Sequence, residues 1–145
     1  TKKHLEQLVK TENLADSIIF TGTLPREEIP RLLSESLVGM APLKRLANLE
    51  YAAPTKAYEY MACGLPFVGC GDGEIAHLAH ESGAGVIAGN TPEAIAATLA
   101  TLLDDPGRME EMGRRGREYV AEHYGRRAVA LKLKQHIERM TWTSA

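Results

Sequence analysis

Residues Ala53–Cys70, Ala-Pro-Thr-Lys-Ala-Tyr-Glu-Tyr-Met-Ala-Cys-Gly-Leu-Pro-Phe-Val-Gly-Cys, place the tightest constraint on the fold. Pro54 stands where a helix would begin, having no N–H to lose there and a φ already suited to the first turn, and Gly64 stands just past the end. About three helical turns fit between them. Leu65–Cys70 then reads as a short buried strand, with Pro66 tolerated only because it comes at the start. A helix feeding directly into a buried strand is half of a crossover unit, and crossovers join parallel strands. In open parallel sheets ligands collect beyond the carboxyl ends of the strands, beside helix N-termini. Thr55, Lys56 and Glu59 are the polar groups this spacing puts there.

The rest of the chain repeats the alternation. Lys2–Thr11 is amphipathic through Leu5, Leu8 and Val9. Ser17–Thr21 is a β-branched and aromatic run ended by Gly22, which predicts a fully buried strand. A helix is predicted from Pro25, with Ile29, Leu32 and Leu33 inward. Leu37–Leu43 is the next buried strand, and Lys44–Ala53 is a polar loop without period, suited to holding a ligand. Gly71-Asp72-Gly73-Glu74 opens a helix over Glu74–Glu81, and Ala84–Ala88 is the fourth strand. Thr91 caps a helix over Pro92–Leu103, with Pro92 at its first position. Arg108–His123 and Arg126–Met140 complete the helices. Four buried strands alternating with helices specify an α/β fold with a parallel sheet and right-handed crossovers.

The string Pro-Thr-Lys-x-Tyr-Glu-Tyr-Met-Ala-Cys-Gly-x-Pro-x-Val, running from Pro54 to Val68, resembles the donor-site helix of the group 1 (family 4) glycosyltransferases of the GT-B fold. The resemblance covers essentially the whole chain. It implies a Rossmann-like parallel sheet flanked by helices, the C-terminal half of a GT-B enzyme, with residues 1–145 forming a single nucleotide-sugar-binding domain. That half ordinarily begins with a strand and a glycine-containing loop, so the resemblance implies that this segment and the N-terminal acceptor domain are missing. It further implies a retaining transfer of a sugar from a nucleoside diphosphate to an acceptor hydroxyl.

Glu59 is the leading site residue. An ionised carboxylate offers two acceptor oxygens that match the vicinal hydroxyls of a ribose. The resembled family uses the Glu of its Glu-x-Met-Ala-x-Gly string in this way, which falls here on Glu59. The plainer alternative is an i,i+3 pair with Lys56 on an exposed helix face. The family's signature has a second Glu eight places earlier, and that position holds Tyr51, with Glu50 one place off. Either a one-residue shift lets Glu50 serve, or the chain belongs to a branch whose loop holds the sugar differently; the second is preferred. Pro54, Thr55 and Lys56 form the helix start, whose free N–H groups and partial positive charge suit a diphosphate. Lys44 and Arg45 are alternative cations.

Other chemistry finds less support. Glu74, His77 and Glu81 share one helix face with His80 nearby, which reads as wet surface before it reads as a metal site. Cys63 and Cys70 lack a Cys-x-x-Cys partner, so neither zinc nor a disulfide is expected. No Ser-His-Asp or Cys-His arrangement can be argued, and no catalytic residue is assigned. No cofactor beyond the donor substrate is expected, and no metal.

At 145 residues, 44% hydrophobic and 25% charged, the chain can bury one ordinary core. No apolar run reaches the eighteen or so residues of a membrane span, and no leader opens the chain. A cytoplasmic location is expected. The net charge of −2 divides into 8 Lys/Arg against 14 Asp/Glu in residues 1–107 and 9 against 5 in residues 108–145. The basic tail reads first as a solvated helix surface, and second as a peripheral contact with an anionic inner membrane face or an acidic partner. Without basic and aromatic residues interleaved on a sheet, nucleic acid is not an expected partner. Two rival functions remain: a nucleotide-sugar 2-epimerase, which would need more acidic residues than Glu59, and a non-catalytic nucleotide or membrane-surface module.

Overall fold

A computed structural model of the chain describes residues 1–42 and 55–142. The elements follow in the order α1 (Lys2–Thr11), α2 (Ile29–Ser34), β1 (Gly39–Pro42), α3 (Thr55–Ala62), β2 (Phe67–Cys70), α4 (Glu74–Ser82), β3 (Gly85–Ala88), α5 (Pro92–Leu103), α6 (Pro106–His123) and α7 (Arg126–Trp142). The strands pair in parallel in the order β1-β2-β3, with Gly39 opposite Phe67 and Phe67 opposite Gly85. The parallel α/β sheet with flanking helices is as the alternation requires.

The pleat divides the core in two. Phe67 and Ala41 point to the face covered by Ala57 and Met61 of α3 and by Ile75, Leu78 and Ala79 of α4. Val68, Cys70 and Ala88 point to the opposite face, against Leu102 of α5 and Met112 of α6. β2 is therefore buried on both sides, which is why its sequence shows no polar alternation. Phe67 is wholly buried, and truncating such a side chain to Ala costs about 3–5 kcal/mol.

α6 ties the two faces together. Its early residues Met109 and Met112 sit with α5, while Tyr119 and Val120 reach the core under α3 and α4. Gly113 and Gly116 permit the passage: a Cβ at 113 would collide with the Gly64 carbonyl oxygen, and one at 116 would lie 2.8 Å from the Ala84 methyl.

Several boundaries were local enough to read. α5 matches its expected span, and the Thr91 hydroxyl accepts from the Ala94 N–H at 3.2 Å as its cap. Three expectations are overturned. Ser17–Thr21 forms no strand; it carries no sheet pairing, and Ile19 is 87% exposed. Its β-branched composition favours extended backbone, but a strand also needs a neighbour for its ladder, and among the described residues none runs beside it. The helix expected from Pro25 begins only at Ile29, because Pro25–Glu28 closes a turn in which the Glu28 N–H donates to the Pro25 carbonyl. Leu32, expected inward, is 40% exposed.

Candidate functional site

Because the three strands are parallel, their carboxyl ends, Pro42, Cys70 and Ala88, share one end of the sheet. α3 follows β1 in the chain and returns to the start of β2, so its N-terminus faces that end. Thr55, Lys56 and Glu59 all lie on α3 and are exposed. Ala57 and Met61 are its buried residues. Their spacing of four puts the apolar line on one side and leaves Glu59 off it. Pro54, Tyr51 and Glu50, and the alternative cations Lys44 and Arg45, lie outside the described residues.

The Lys56–Glu59 pair does not form: among the described residues neither side chain takes part in an ion pair or a hydrogen bond. The Glu59 carboxylate is thus open to an external donor. A free carboxylate one turn inside a helix whose N-terminus carries partial positive charge offers acceptors and an anion-favouring end close together.

The neighbouring loop contributes backbone. Gly71 has φ of +120°, a conformation that suits glycine, and leads to Gly73, which caps α4. The Gly73 carbonyl accepts from Ala76 and His77, so the turn serves the helix start. Glu74 contributes charge beside Tyr58 and Tyr119. His77 and Glu81 are exposed, and His80 Nδ1 lies 3.4 Å from Glu81 Oε1. Among the described residues no cluster of three or more His, Cys, Asp or Glu could hold a metal ion.

The tyrosines flanking Glu59 escaped sequence reasoning as site residues. The Tyr60 hydroxyl donates to the Met40 carbonyl of β1 at 3.1 Å, and its ring covers Gly39. Burial, then the Glu59 charge, raises its pKa. The Tyr58 ring packs on Tyr124, with centroids 4.6 Å apart and planes at 53°. Burial, then hydrogen bonding to Tyr124, pushes the Tyr58 phenol far up. The Tyr-Glu-Tyr triplet was the available signal, though nothing in it names the partners.

The profile of the family described as glycosyl transferases group 1 matches residues 1–119, most of the chain and all of the site. The chain belongs to the group 1 glycosyltransferases. Its fold matches that of a GT-B glycosyltransferase of known structure. A sucrose-phosphate synthase from Thermosynechococcus elongatus superposes with a TM-score of 0.77 at 25% identity, covering 99% of this chain and 35% of that one. A 2-deoxystreptamine glucosyltransferase from Streptomyces kanamyceticus is 29% identical over 138 residues, 94% of this chain and 34% of the relative. A GDP-mannose-dependent alpha-(1-6)-phosphatidylinositol monomannoside mannosyltransferase from Mycolicibacterium smegmatis is 28% identical over 134 residues, 90% and 35% respectively. This group 1 glycosyltransferase chain therefore spans about a third of the length of its curated relatives.

Proposed function

We infer that the chain is the donor-binding domain of a retaining glycosyltransferase that moves a sugar from a nucleoside diphosphate to an acceptor hydroxyl. The observation that carries this reading is the exposed carboxylate of Glu59, unpaired among the described residues, on the helix that starts at the carboxyl end of the sheet. Glu59 would accept from the ribose hydroxyls. The N–H groups at Thr55 and Lys56, with the Thr55 hydroxyl and the Lys56 ammonium, would face the diphosphate. Pro54 would belong to the same donor site, and Tyr51 or Glu50 would meet the sugar.

Chemically, breaking the bond to the anomeric carbon leaves negative charge on the departing diphosphate. Preorganised N–H groups and a cation at a helix end stabilise that charge more in the transition state than in the ground state. The similarity to a glucosyltransferase and a mannosyltransferase supports sugar transfer, and the GDP-mannose dependence of the latter supports a nucleoside-diphosphate donor. Thermal-shift titration with UDP, GDP, ADP and dTDP tests the reading. One nucleotide should stabilise the protein, and Glu59→Ala should weaken its binding roughly 10- to 100-fold, the value of hydrogen bonds to a charged group. Equal binding by parent and variant would remove Glu59 from the site.

A second contact surface is favoured by α7. Val129, Leu133 and Ile137 recur every four residues and are 48%, 59% and 51% exposed, beside Arg126, Arg127, Lys132 and Lys134. Since the relatives are about three times as long, the acceptor-binding part of a longer chain is the reading we prefer for what covers this stripe. An anionic membrane surface is the competing one. Salt-sensitive co-sedimentation of the full-length protein with anionic vesicles, abolished by charge reversal at Lys132 and Lys134, would decide for the membrane. Among the described residues no helix is long and apolar enough to cross a bilayer.

A further inference from the structure

α3 has eight residues, too few to hold its shape or setting unaided. Tyr58 and Tyr60 are two positions apart and so leave the helix about 200° from each other, with Glu59 about 100° from each. They are held by different elements. Tyr60 is bonded to the Met40 carbonyl of β1, and its ring lies where a side chain at Gly39 would have to go. Tyr58 packs against Tyr124, the residue that caps the C-terminus of α6, and Tyr119 lies 5.9 Å beyond. At the far end of α3, Arg117 Nη2 donates to the Cys63 carbonyl at 3.1 Å. Turning α3 about its axis, the motion that would swing Glu59 most, therefore breaks a contact on each side.

We propose that Tyr58 and Tyr60 are positioning residues for the donor nucleotide, fixing the rotation of α3 so that the Glu59 carboxylate meets the ribose. The inference rests on the ribose role assigned to Glu59. It requires the Tyr60 hydroxyl, and not only its ring, because the ring packs on Gly39 without direction whereas the hydroxyl bonds the Met40 carbonyl of β1. Both tyrosines act through Glu59, and neither touches the nucleotide.

The test is a double-mutant cycle in the full-length protein, using whichever of UDP, GDP, ADP or dTDP binds the parent best. Tyr60→Phe keeps the ring and removes the hydroxyl; the expected result is a Kd raised about 3- to 10-fold, the size of one lost hydrogen bond. Glu59→Gln raises Kd by itself, and adding Tyr60→Phe to it produces no further loss. Tyr58→Leu, which removes the ring packed on Tyr124 on the other side of the helix, repeats the pattern independently should Tyr60→Phe fold poorly. A loss of equal size in the parent and Glu59→Gln backgrounds, or no loss in either, overturns the positioning role and leaves the Glu59 reading standing. Unchanged affinity in Glu59→Gln overturns that reading and the positioning role with it.

Discussion

The guanidinium of Arg117, on α6, donates a hydrogen bond to the backbone carbonyl of Cys63, 54 residues earlier, just past the C-terminus of α3. A positive charge at a helix C-terminus satisfies a carbonyl left without an intrahelical partner and opposes the negative end of the dipole. Arg117 is exposed, so its contribution is modest. Arg117→Met, which retains the aliphatic stem, should lower stability by about 1 kcal/mol in urea denaturation. No change in the midpoint would show that solvent replaces the bond.

Gly113 has no room for a side chain, with the Gly64 carbonyl oxygen where a Cβ would be. Backbone cannot withdraw as a side-chain tip can. Gly113→Ala should destabilise by about 2–3 kcal/mol, the range for overpacking, whereas alanine at Gly107, whose Cβ would meet only Asp105 Oδ1 at 3.8 Å, should stay within about 1 kcal/mol. Thermal denaturation of the two variants side by side makes the comparison, and equal melting points would contradict the packing account.

Glu111 accepts from Arg114 at 2.7 Å and 2.9 Å and from Arg115 at 2.7 Å. Hydrogen bonding to Arg114, then to Arg115, lowers its pKa from 4.5 to about 2. A depressed folded-state pKa gives stability that is present above the unfolded value and lost as pH falls through the folded one. The melting-point difference between parent and Glu111→Gln should be constant above pH 5 and shrink toward zero between pH 4.5 and pH 2. A difference independent of pH over that window would assign the effect to packing instead.

Cys70 is wholly buried against α5 and α6, and burial raises its thiol pKa. Thiolate is the reactive form, so this thiol should resist alkylation in the native state. Cys63 is only partly covered. Brief iodoacetamide treatment at pH 8 followed by peptide mass spectrometry should label Cys63 well ahead of Cys70, with both labelled in guanidinium chloride. Equal native labelling would mean that β2 opens readily.

Where the controlling interactions are local, the sequence was a sufficient guide. Thr91 and Pro92 start α5, and Gly64 and Gly83, with φ of +72° and +61°, mark the ends of α3 and α4. Leu65–Cys70, which forms its strand over Phe67–Cys70, was recognisable because residues buried on both faces leave no polar alternation. Ser17–Thr21 carried an equally good local signal and formed no strand, since a ladder depends on what lies alongside.

The same division holds at the site. Ala53–Cys70 by itself determined that a short helix would feed a buried parallel strand, and so which polar residues, Thr55, Lys56 and Glu59, would stand near the carboxyl end of the sheet. Helix caps, φ preferences and hydrophobic runs act over a few residues, and that range is enough for such an assignment. Only the tertiary structure decided that Lys56 does not pair with Glu59, and that Met40, Tyr124 and Arg117 hold the helix from three directions. Those partners are 20, 66 and 54 residues distant from the groups they contact, and no pattern along the chain brings them together before the sheet and α6 have packed.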